Sequence, residues 1–236
     1  MDLSDARGLL AGTTGVLGGA LTAEPAGRGA CPASAGPAPT RRARLAQACP
    51  GAPTVRFEAH DPAPCARPVH DATVAPGGLD AVVAAFGAVA VGRASEVADE
   101  RTEHLDAVNI LASAAFLRAA LTIMGPGPVN AAFTGVLAEH PQAGTADHSA
   151  SKAVPGVWLG AVRREVRARG IHVPEAGPGH LDTGFADRPV AGAAPPTPAV
   201  GGPHRDVAAL AAARETDAEP LLTALDSAPV VERRAG

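Results

Sequence analysis

Short apolar runs alternate along this chain with longer stretches that have helical spacing. Continuous apolar positions, as in 80–86 and 129–133, indicate strands that are buried on both faces of a sheet. The stretch 54–59 alternates apolar and polar residues, which is the pattern of a strand with one exposed face. The six predicted strands are 7–11, 30–35, 54–59, 80–86, 129–133 and 172–176.

The segments between these strands predict helices. In 94–123, Leu105, Val108, Ala112 and Ala115 recur at helical spacing along one side. A helix that ends near Ala26 is predicted after the first strand. Three further helices are predicted over 41–48, 149–169 and 205–215.

Alternating strands and helices predict a single α/β domain over 1–236, with a doubly wound parallel sheet of Rossmann type. Ligands bind such sheets beyond the carboxyl ends of the strands. We expect the proline-rich segment 187–204 to form a loop or lid. We expect 217–236 to be poorly ordered, as chain ends commonly are.

Four residues conflict with the predicted elements. Pro32 and Pro174 fall inside strands, where the hydrogen-bond ladder needs backbone donors. Glu175 falls in a strand that should be buried, and burial of an unpaired charge is costly. Pro155 interrupts the helix 149–169, which its ring should kink. These conflicts suggest a divergent sequence on this fold.

Composition excludes several classes of protein. The 236 residues carry a net charge of −4, which gives no basic surface for nucleic acid. No apolar run reaches the ~18–20 residues of a membrane span, and the opening residues lack the basic segment of a secretory signal. The 3 cysteines lack metal-binding spacing, and the 8 histidines include no i, i+4 pair. We therefore expect no metal site and a cytoplasmic location.

A glycine-rich turn follows the first strand. Gly12, Gly15 and Gly18 stand where a chain must bend sharply and let backbone N–H groups approach a pyrophosphate. A helix N-terminus with spare glycines, in a chain with 27 of them, is the plainer alternative. The position of this turn, the first in an α/β chain, favours phosphate binding.

Several segments, taken in order, resemble motifs of the short-chain dehydrogenase/reductase family over nearly the whole chain. Besides the glycine turn 11–18, they are Asp61, 84–87, 108–110, 148–152 and 178–183. The resemblance implies the family's fold and a nicotinamide cofactor. The residues that it assigns to cofactor binding are Gly12, Thr13, Gly15, Val16, Leu17, Gly18, Asp61, Ala84, Gly87, Lys152, Pro178, Gly179, Leu181 and Thr183.

Lys152 is the only lysine among the 20 basic residues. A compact ammonium can bond two ribose hydroxyls, whereas a planar guanidinium would not sit in the same way. A solvated helix lysine is the alternative, but arginine would meet that need equally well. We therefore favour ribose binding at this position.

The same resemblance implies a catalytic set with two replaced members. Asn109 matches the family's asparagine, and His148 with Lys152 resembles its Tyr-x-x-x-Lys motif. Spacing from His148 places the family's serine on Gly135, whereas alignment of the preceding strand places it on Phe133.

Neither candidate for the serine carries a hydroxyl. Thr134, between them, is the only hydroxyl nearby, and the chain contains no tyrosine to substitute for the phenol. The family's reaction needs a group that passes a proton to or from the substrate oxygen while hydride moves at the nicotinamide.

His148 is the remaining candidate for that proton transfer. Imidazole has a pKa near ~6.5 and can act as a general acid. Lys152, four residues on and on the same helix face, disfavours the imidazolium form, and histidine is shorter than tyrosine. The alternative is a polar side chain in an inactive pocket.

The second strand ends without the acid that usually selects NAD, and Arg41, Arg42 and Arg44 follow it. These arginines favour NADP(H) over NAD(H) as the cofactor, because they can meet a 2′-phosphate. An ordinary solvated basic helix face is the alternative.

The resemblance implies an NAD(P)(H)-dependent oxidoreductase acting on a small carbonyl or alcohol substrate, with impaired activity. It also implies a homo-oligomer formed through the helices in 104–123 and 149–169. Two alternatives remain open. One is a non-catalytic dinucleotide-binding protein that serves as a sensor or as the partner of an active paralogue; the other is a compromised fold that binds nothing well.

Overall fold

The computed structural model describes residues 7–27, 32–48, 50–61, 63–72, 78–194, 220–223 and 230–233. These residues form an eight-stranded sheet in the order β3-β2-β1-β4-β5-β6-β7-β8. Strands β1 to β7 are parallel to their neighbours, and β8 pairs antiparallel with β7 at the edge. The predicted helix 205–215 lies outside the described residues.

The strands are β1 (Gly8–Ala11), β2 (Ala33–Gly36), β3 (Thr54–Arg56), β4 (Ala81–Ala84), β5 (Val129–Phe133), β6 (Glu175–Gly177), β7 (Pro220–Thr223) and β8 (Val230–Arg233). The helices are α1 (Val16–Gly27), α2 (Pro39–Ala48), α3 (Arg67–Ala72), α4 (Asp99–Asp106), α5 (Ser113–Ile123) and α6 (Ala146–Val166). A π-helical turn, Ala107–Ala112, joins α4 to α5. Single 3₁₀ turns cover Ala63–Ala66, Val136–Ala138 and Arg167–Arg169.

The doubly wound α/β fold predicted from the sequence is confirmed, and β5 has the predicted bounds. The strand predicted over 54–59 is too long, because only three of its residues pair with β2 at the edge of the sheet. The helix predicted over 149–169 begins earlier, at Ala146, so His148 lies in its first turn. It ends as expected, with Gly170 in the left-handed conformation at φ 65°.

The two prolines predicted to lie inside strands are found just outside them. Pro32 precedes β2 and Pro174 precedes β6, so neither occupies a paired strand position. The chain pairs through His172 with Val129 before Pro174, and resumes pairing with β5 at Glu175. Helix α6 continues through Pro155 without ending there. Pro32 and Pro174 therefore stand just before the starts of β2 and β6, Pro155 lies within α6, and the topology is intact.

Two described strands, β7 and β8, were not predicted from the sequence. They lie within 217–236, the segment that we expect to be poorly ordered. Each contains a pair of apolar residues, Leu221-Leu222 and Val230-Val231, and valine favours strands.

Small aliphatic side chains build the core on both faces of the sheet. One face packs under α3, α5 and α6, with Phe116, Leu117 and Leu159 buried. The other face packs under α1 through Leu21, Leu10 and Phe133. Leu105, Val108 and Ala112 are buried along the predicted apolar side of the long helix, as expected.

The helical stretch Asp99–Ile123 is long and apolar enough, by length and composition alone, to cross a membrane. No such segment is expected from the sequence, in which no apolar run reaches the ~18–20 residues of a membrane span. Leu105, Phe116 and Leu117 of this stretch are fully buried against the sheet domain. We therefore describe it as a helix of the core.

The predicted loop 187–204 is described only to residue 194. This part lies against the segment that follows β4, because Val190 N donates to Val89 O and Val91 N donates to Ala191 O, at 2.8 and 2.9 Å. Gly192 adopts φ 70°, and a methyl group there would lie 1.8 Å from the carbonyl oxygen of Val91. The start of the loop is thus held in close backbone contact.

Glu175 is buried in β6 with 4% of its surface exposed. Its Oε1 accepts a hydrogen bond from Thr134 Oγ1 at 2.8 Å. Gly156 of α6 leaves the space for this carboxylate, since a methyl group there would lie 2.7 Å from Oε1. The buried acid that conflicted with the predicted strand is therefore accommodated by one hydroxyl and one glycine.

We predict that Thr134→Val lowers the free energy of unfolding by about 1–3 kcal/mol, because it leaves a buried carboxylate oxygen without its donor. Urea denaturation followed by circular dichroism measures this change. The matched control is Thr122→Val, whose exposed hydroxyl bonds only to its own helix and should cost less than about 0.5 kcal/mol. Equal losses in both variants would contradict this account of Glu175.

Candidate functional site

The glycine turn between β1 and α1 is packed so closely that two of its glycines admit no side chain. Gly12 adopts φ 91°, and a methyl group there would lie 2.3 Å from the carbonyl oxygen of Ala85. A methyl group on Gly18 would lie 2.2 Å from the carbonyl oxygen of Gly12. Gly15 has no such contact, since its methyl group would come no closer than 3.4 Å.

The turn is held to the neighbouring strand by its backbone. Gly12 N and Thr13 N both donate to Ala35 O of β2, at 2.9 and 3.3 Å. Val16 is 47% exposed at the start of α1, whereas Leu17 packs against the core. The sequence-predicted turn therefore exists as a rigid loop at the carboxyl end of the sheet, followed by a helix N-terminus.

Two arginines of α2 lie beside this turn. Arg41 Nη1 donates to Thr14 O, and Arg42 Nη1 donates to Gly36 O at 2.5 Å and to Pro37 O at 2.7 Å. Positive charge thus lies at the end of β2, where the sequence offers no acid.

Asn109 joins three parts of the site. It lies in the π-helical turn, a rare element that is frequent at functional sites. Its Oδ1 accepts from Ala88 N at 2.9 Å, and its Nδ2 donates to Ala88 O at 3.0 Å and to Ser151 Oγ at 2.9 Å. Ser151 Oγ in turn donates to His148 O at 2.8 Å. The loop after β4, the long helix and α6 are therefore tied together.

His148 is buried, and its backbone carbonyl belongs to the same network because it accepts from Ser151 Oγ. Its pKa is lowered to about 4, chiefly because burial disfavours the imidazolium and also because Lys152 is positively charged. Within the described part of the chain, its buried Nδ1 has no hydrogen-bond partner. At neutral pH this ring is uncharged.

Lys152 is buried one helical turn after His148. A methyl group on Gly87 would lie 2.6 Å from its Nζ and 3.1 Å from Asn109 Oδ1. Burial lowers the pKa of Lys152 to about 8. Gly87, Asn109, His148 and Lys152, predicted separately from the sequence, thus meet around Ala88.

The structure does not place a hydroxyl in the position of the family's serine. Thr134 uses its hydroxyl on Glu175, and Gly135 adopts φ 111°, a conformation that side chains other than glycine rarely accept. Phe133, the alternative position, packs into the core under α1. The substitution Gly135→Ser would therefore strain the backbone.

The other predicted cofactor-binding residues lie in two further loops. Asp61 is exposed after β3, where its Oδ1 accepts from Ala63 N at 3.2 Å. The segment 178–183 follows β6, and Pro178 O accepts from Val136 N at 2.9 Å. Ala84 is buried at the end of β4, and Gly179, Leu181 and Thr183 lie in the loop after β6.

Sequence reasoning missed three participants. Ser151 is not among the site residues predicted from the sequence, yet it connects Asn109 to α6. Ala88 takes part through its backbone N–H and C=O groups, so its residue type gives no indication of this role. Glu175 was identified only as a conflict with its strand. Among the described residues no cluster of three or more His, Cys, Asp or Glu side chains could hold a metal ion.

The fold, the closed glycine turn and the order of these loops define a Rossmann-type α/β protein. The family model of the short chain dehydrogenases matches residues 9–192, which is most of the chain. The chain belongs to this family of oxidoreductases. No curated protein matches its sequence.

Solved structures with this fold are similar over nearly their whole length. A short chain dehydrogenase from Burkholderia cenocepacia J2315, in complex with NADP, is 24% identical with a TM-score of 0.79, covering 91% of this chain and 92% of its own. A short-chain dehydrogenase from Streptomyces avermitilis is 20% identical with a TM-score of 0.83, covering 93% and 89%. A blue fluorescent protein from a metagenomic library, in complex with NADPH, is 21% identical with a TM-score of 0.82, covering 97% and 99%.

We predict that His148 makes stability depend on pH between about 6.5 and 4. The pKa of His148 is lower in the folded chain, so the unfolded chain binds more protons in this window. The contribution of His148 to the free energy of unfolding is therefore fully present above about pH 6.5, and it is lost as the pH falls through about 4. We expect about 3 kcal/mol of unfolding free energy to be lost, measured as the difference between wild type and His148→Gln.

The matched control for this pH profile is His140→Gln, which replaces an exposed histidine. Urea denaturation at several pH values gives the unfolding free energy for all three proteins. A difference between wild type and His148→Gln that stays constant from pH 7 to pH 4 would contradict the proposed burial of a neutral imidazole.

Proposed function

We propose that the chain binds NADP(H) in preference to NAD(H) and acts, weakly, as an oxidoreductase on a small carbonyl or alcohol substrate. The observation that carries this proposal is the placement of Arg41 and Arg42 beside the glycine turn at the end of β2. A 2′-phosphate on the adenosine ribose is the group that distinguishes NADP from NAD, and guanidinium groups bind phosphate with charge-assisted hydrogen bonds.

The residues of the site fit a dinucleotide. Gly12 and Gly18 allow the turn to pack tightly against the protein's own backbone. A methyl group on Gly15 would come no closer than 3.4 Å to the protein, so this position suits the close approach of a pyrophosphate. Within the described part of the chain, Lys152 forms no ion pair with a carboxylate. Buried His148 Nδ1 also has no hydrogen-bond partner. A ligand rich in hydroxyl and phosphate groups satisfies such atoms.

Each part of the site has a separate role in this proposal. The glycine turn holds the pyrophosphate, Arg41 and Arg42 meet the 2′-phosphate, and Lys152 donates hydrogen bonds to the ribose. Asp61 bonds the adenine, and the loop 178–183 lies along the nicotinamide. When bound, the dinucleotide supplies or accepts the hydride.

Weak activity follows from the protonation of the site. Reduction of a carbonyl needs a proton for the new hydroxyl group. His148, with a pKa of about 4, is a neutral imidazole at neutral pH and lacks the acidic imidazolium proton that a general acid would donate. Thr134 is committed to Glu175. In this proposal, His148 and Thr134 stand at or near the positions of the family's proton-transferring groups and have a structural role instead.

The same network favours a second candidate function, which is binding of the dinucleotide without catalysis. Asn109 bonds to Ala88 and to Ser151, and Ser151 donates to His148 O, so this chain of hydrogen bonds stabilises the loop after β4. A sensor, or the partner of an active paralogue, needs this rigidity and no proton donor. The position of Pro32 and Pro174 outside the paired strands argues against the third alternative, a compromised fold.

Association of two copies and a cytoplasmic location are part of this proposal. Leu111 on the long helix is 56% exposed, and Val154 and Val157 on α6 are 45% and 76% exposed. Such apolar side chains on these two helices favour contact with a second chain. Cys65, free and buried, is compatible with a reducing compartment.

We predict that NADPH binds more tightly than NADH and that Arg42→Ala weakens NADPH binding about 10- to 100-fold, because a charge-assisted contact with phosphate is lost. Binding of NADH should change less than about twofold. Isothermal titration calorimetry measures both affinities, and the quenching of Trp158, the only tryptophan, is a second readout.

The matched control is Arg44→Ala, which removes an exposed arginine from the same helix and should leave both affinities unchanged. Equal weakening of NADPH and NADH by Arg42→Ala would contradict recognition of the 2′-phosphate. Failure of the folded wild type to bind either cofactor would reject both functions.

We predict that His148→Tyr raises kcat with NADPH at least about tenfold over wild type on a panel of small ketones, because a positioned general acid contributes about 10²–10⁴-fold. Absorbance of NADPH at its nicotinamide band measures turnover. The matched control is His148→Phe, which adds a ring without the hydroxyl. Equal rates for the two variants would show that the phenol is not the missing group.

A further inference from the structure

The only lysine of the chain lies in an unusual chemical environment. Lys152 is buried in α6, with its Nζ against the backbone of Gly87, where a methyl group would come within 2.6 Å. Asn109 and His148 are its polar neighbours in this part of the site. Both are uncharged at neutral pH, so neither supplies the negative charge that a buried ammonium needs.

Within the described ranges, Lys152 forms no ion pair with a carboxylate. The ion pairs there include those of Arg7 with Asp80 and of Glu58 with Arg56 and His60, and Lys152 is not among the residues with a further charged partner. The carboxylate of Glu175, which belongs to β6, lies beside Gly156, one helical turn after Lys152 in α6. It accepts a hydrogen bond from Thr134. A desolvated amine without a counter-ion is the arrangement that makes a lysine nucleophilic.

The protonation of Lys152 is consistent with this geometry. Burial lowers its pKa to about 8, so roughly a fifth of the amine is neutral at pH 7.4. An ordinary lysine, with a pKa near ~10.4, is less than about 0.1% neutral at that pH. The neutral form, with its free electron pair, is the one that attacks carbonyl carbon.

We propose that Lys152 is a site of covalent capture for small aldehydes and ketones, which it binds as an imine. The nitrogen electron pair forms a bond to the carbonyl carbon while the carbonyl π bond breaks, and the oxygen takes up a proton. The nitrogen loses one of its two protons to give the carbinolamine, which then expels its hydroxyl group as water with an added proton. The resulting iminium releases the remaining N–H proton, so the products are the imine and one water, with no change in oxidation state.

This activity goes beyond the proposed oxidoreductase function and does not require it. It uses the same amine that the proposed function assigns to the ribose, so a bound dinucleotide and a captured carbonyl compound exclude one another. The chain would then respond to small carbonyl compounds even where it reduces them poorly.

Acetaldehyde with cyanoborohydride tests this inference on the full chain, because the reducing agent converts the imine into a stable ethylamine. Trypsin cleaves after unmodified lysine and arginine. Peptide 119–163 contains no other such residue between its ends, so modification of Lys152 leaves it uncut, whereas the free chain yields 119–152. Mass spectrometry therefore reads the modified fraction at this residue separately from the N-terminal amine.

We expect the rate of modification at Lys152 to rise with pH and to reach half its maximum near pH 8. Lys152→Arg should give no adduct inside the chain, with circular dichroism as the check on folding. Modification confined to the N-terminal amine, or a rate at Lys152 that rises only near pH 10, would overturn the proposal. Both of these contrary results are measured on the wild-type chain, so neither depends on whether Lys152→Arg folds.

Repeating the wild-type experiment with saturating NADPH separates this inference from the proposed function. Protection of Lys152 supports both, since it shows that the reactive amine lies at the cofactor. Modification of Lys152 at an undiminished rate, with NADPH bound by calorimetry, supports the capture site and contradicts the ribose-binding role of this lysine.

Discussion

The backbone of Ala88 is the point on which the arrangement of the site depends. A single asparagine side chain, Asn109, pairs with both its N–H and its C=O, in the way that a neighbouring strand would. The loop after β4 leaves the sheet at this place and would otherwise have unsatisfied polar groups inside the protein. A widened helical turn brings Asn109 to the loop, and Ser151 fastens it to α6. The positions of Gly87, His148 and Lys152 follow from this connection.

The electrostatics of the site result from that packing. Two nitrogenous bases, His148 and Lys152, are placed one turn apart away from water, and each has a lowered pKa. Burial is the principal cause for both, and the charge of Lys152 adds to the effect on His148. Such a site holds a neutral imidazole and a partly neutral amine. It is suited to accepting hydrogen bonds and to nucleophilic addition, and poorly suited to donating a proton to a carbonyl oxygen.

The polar residues around His148 and Thr134 have partners inside the protein. His148 O accepts from Ser151 Oγ, and Thr134 bonds to a buried glutamate for which Gly156 leaves space. The chain has the fold of a short-chain dehydrogenase. That His148 stands in place of the family's phenol stays a prediction from the resemblance.

Apolar periodicity and glycine spacing are local properties, and they were enough to predict the doubly wound fold, the order of the first six strands, the bounds of β5 and the glycine turn. They also predicted that Asn109, His148 and Lys152 belong to one site, and the fold brings these residues together around Ala88. The two last strands were missed, since short apolar pairs are strand-forming only when a sheet edge is available. The partners of Ser151, Thr134 and Glu175 were decided by the tertiary structure alone. Such contacts join residues about 40 positions apart, and burial and pKa depend on what surrounds a side chain rather than on its neighbours in the chain.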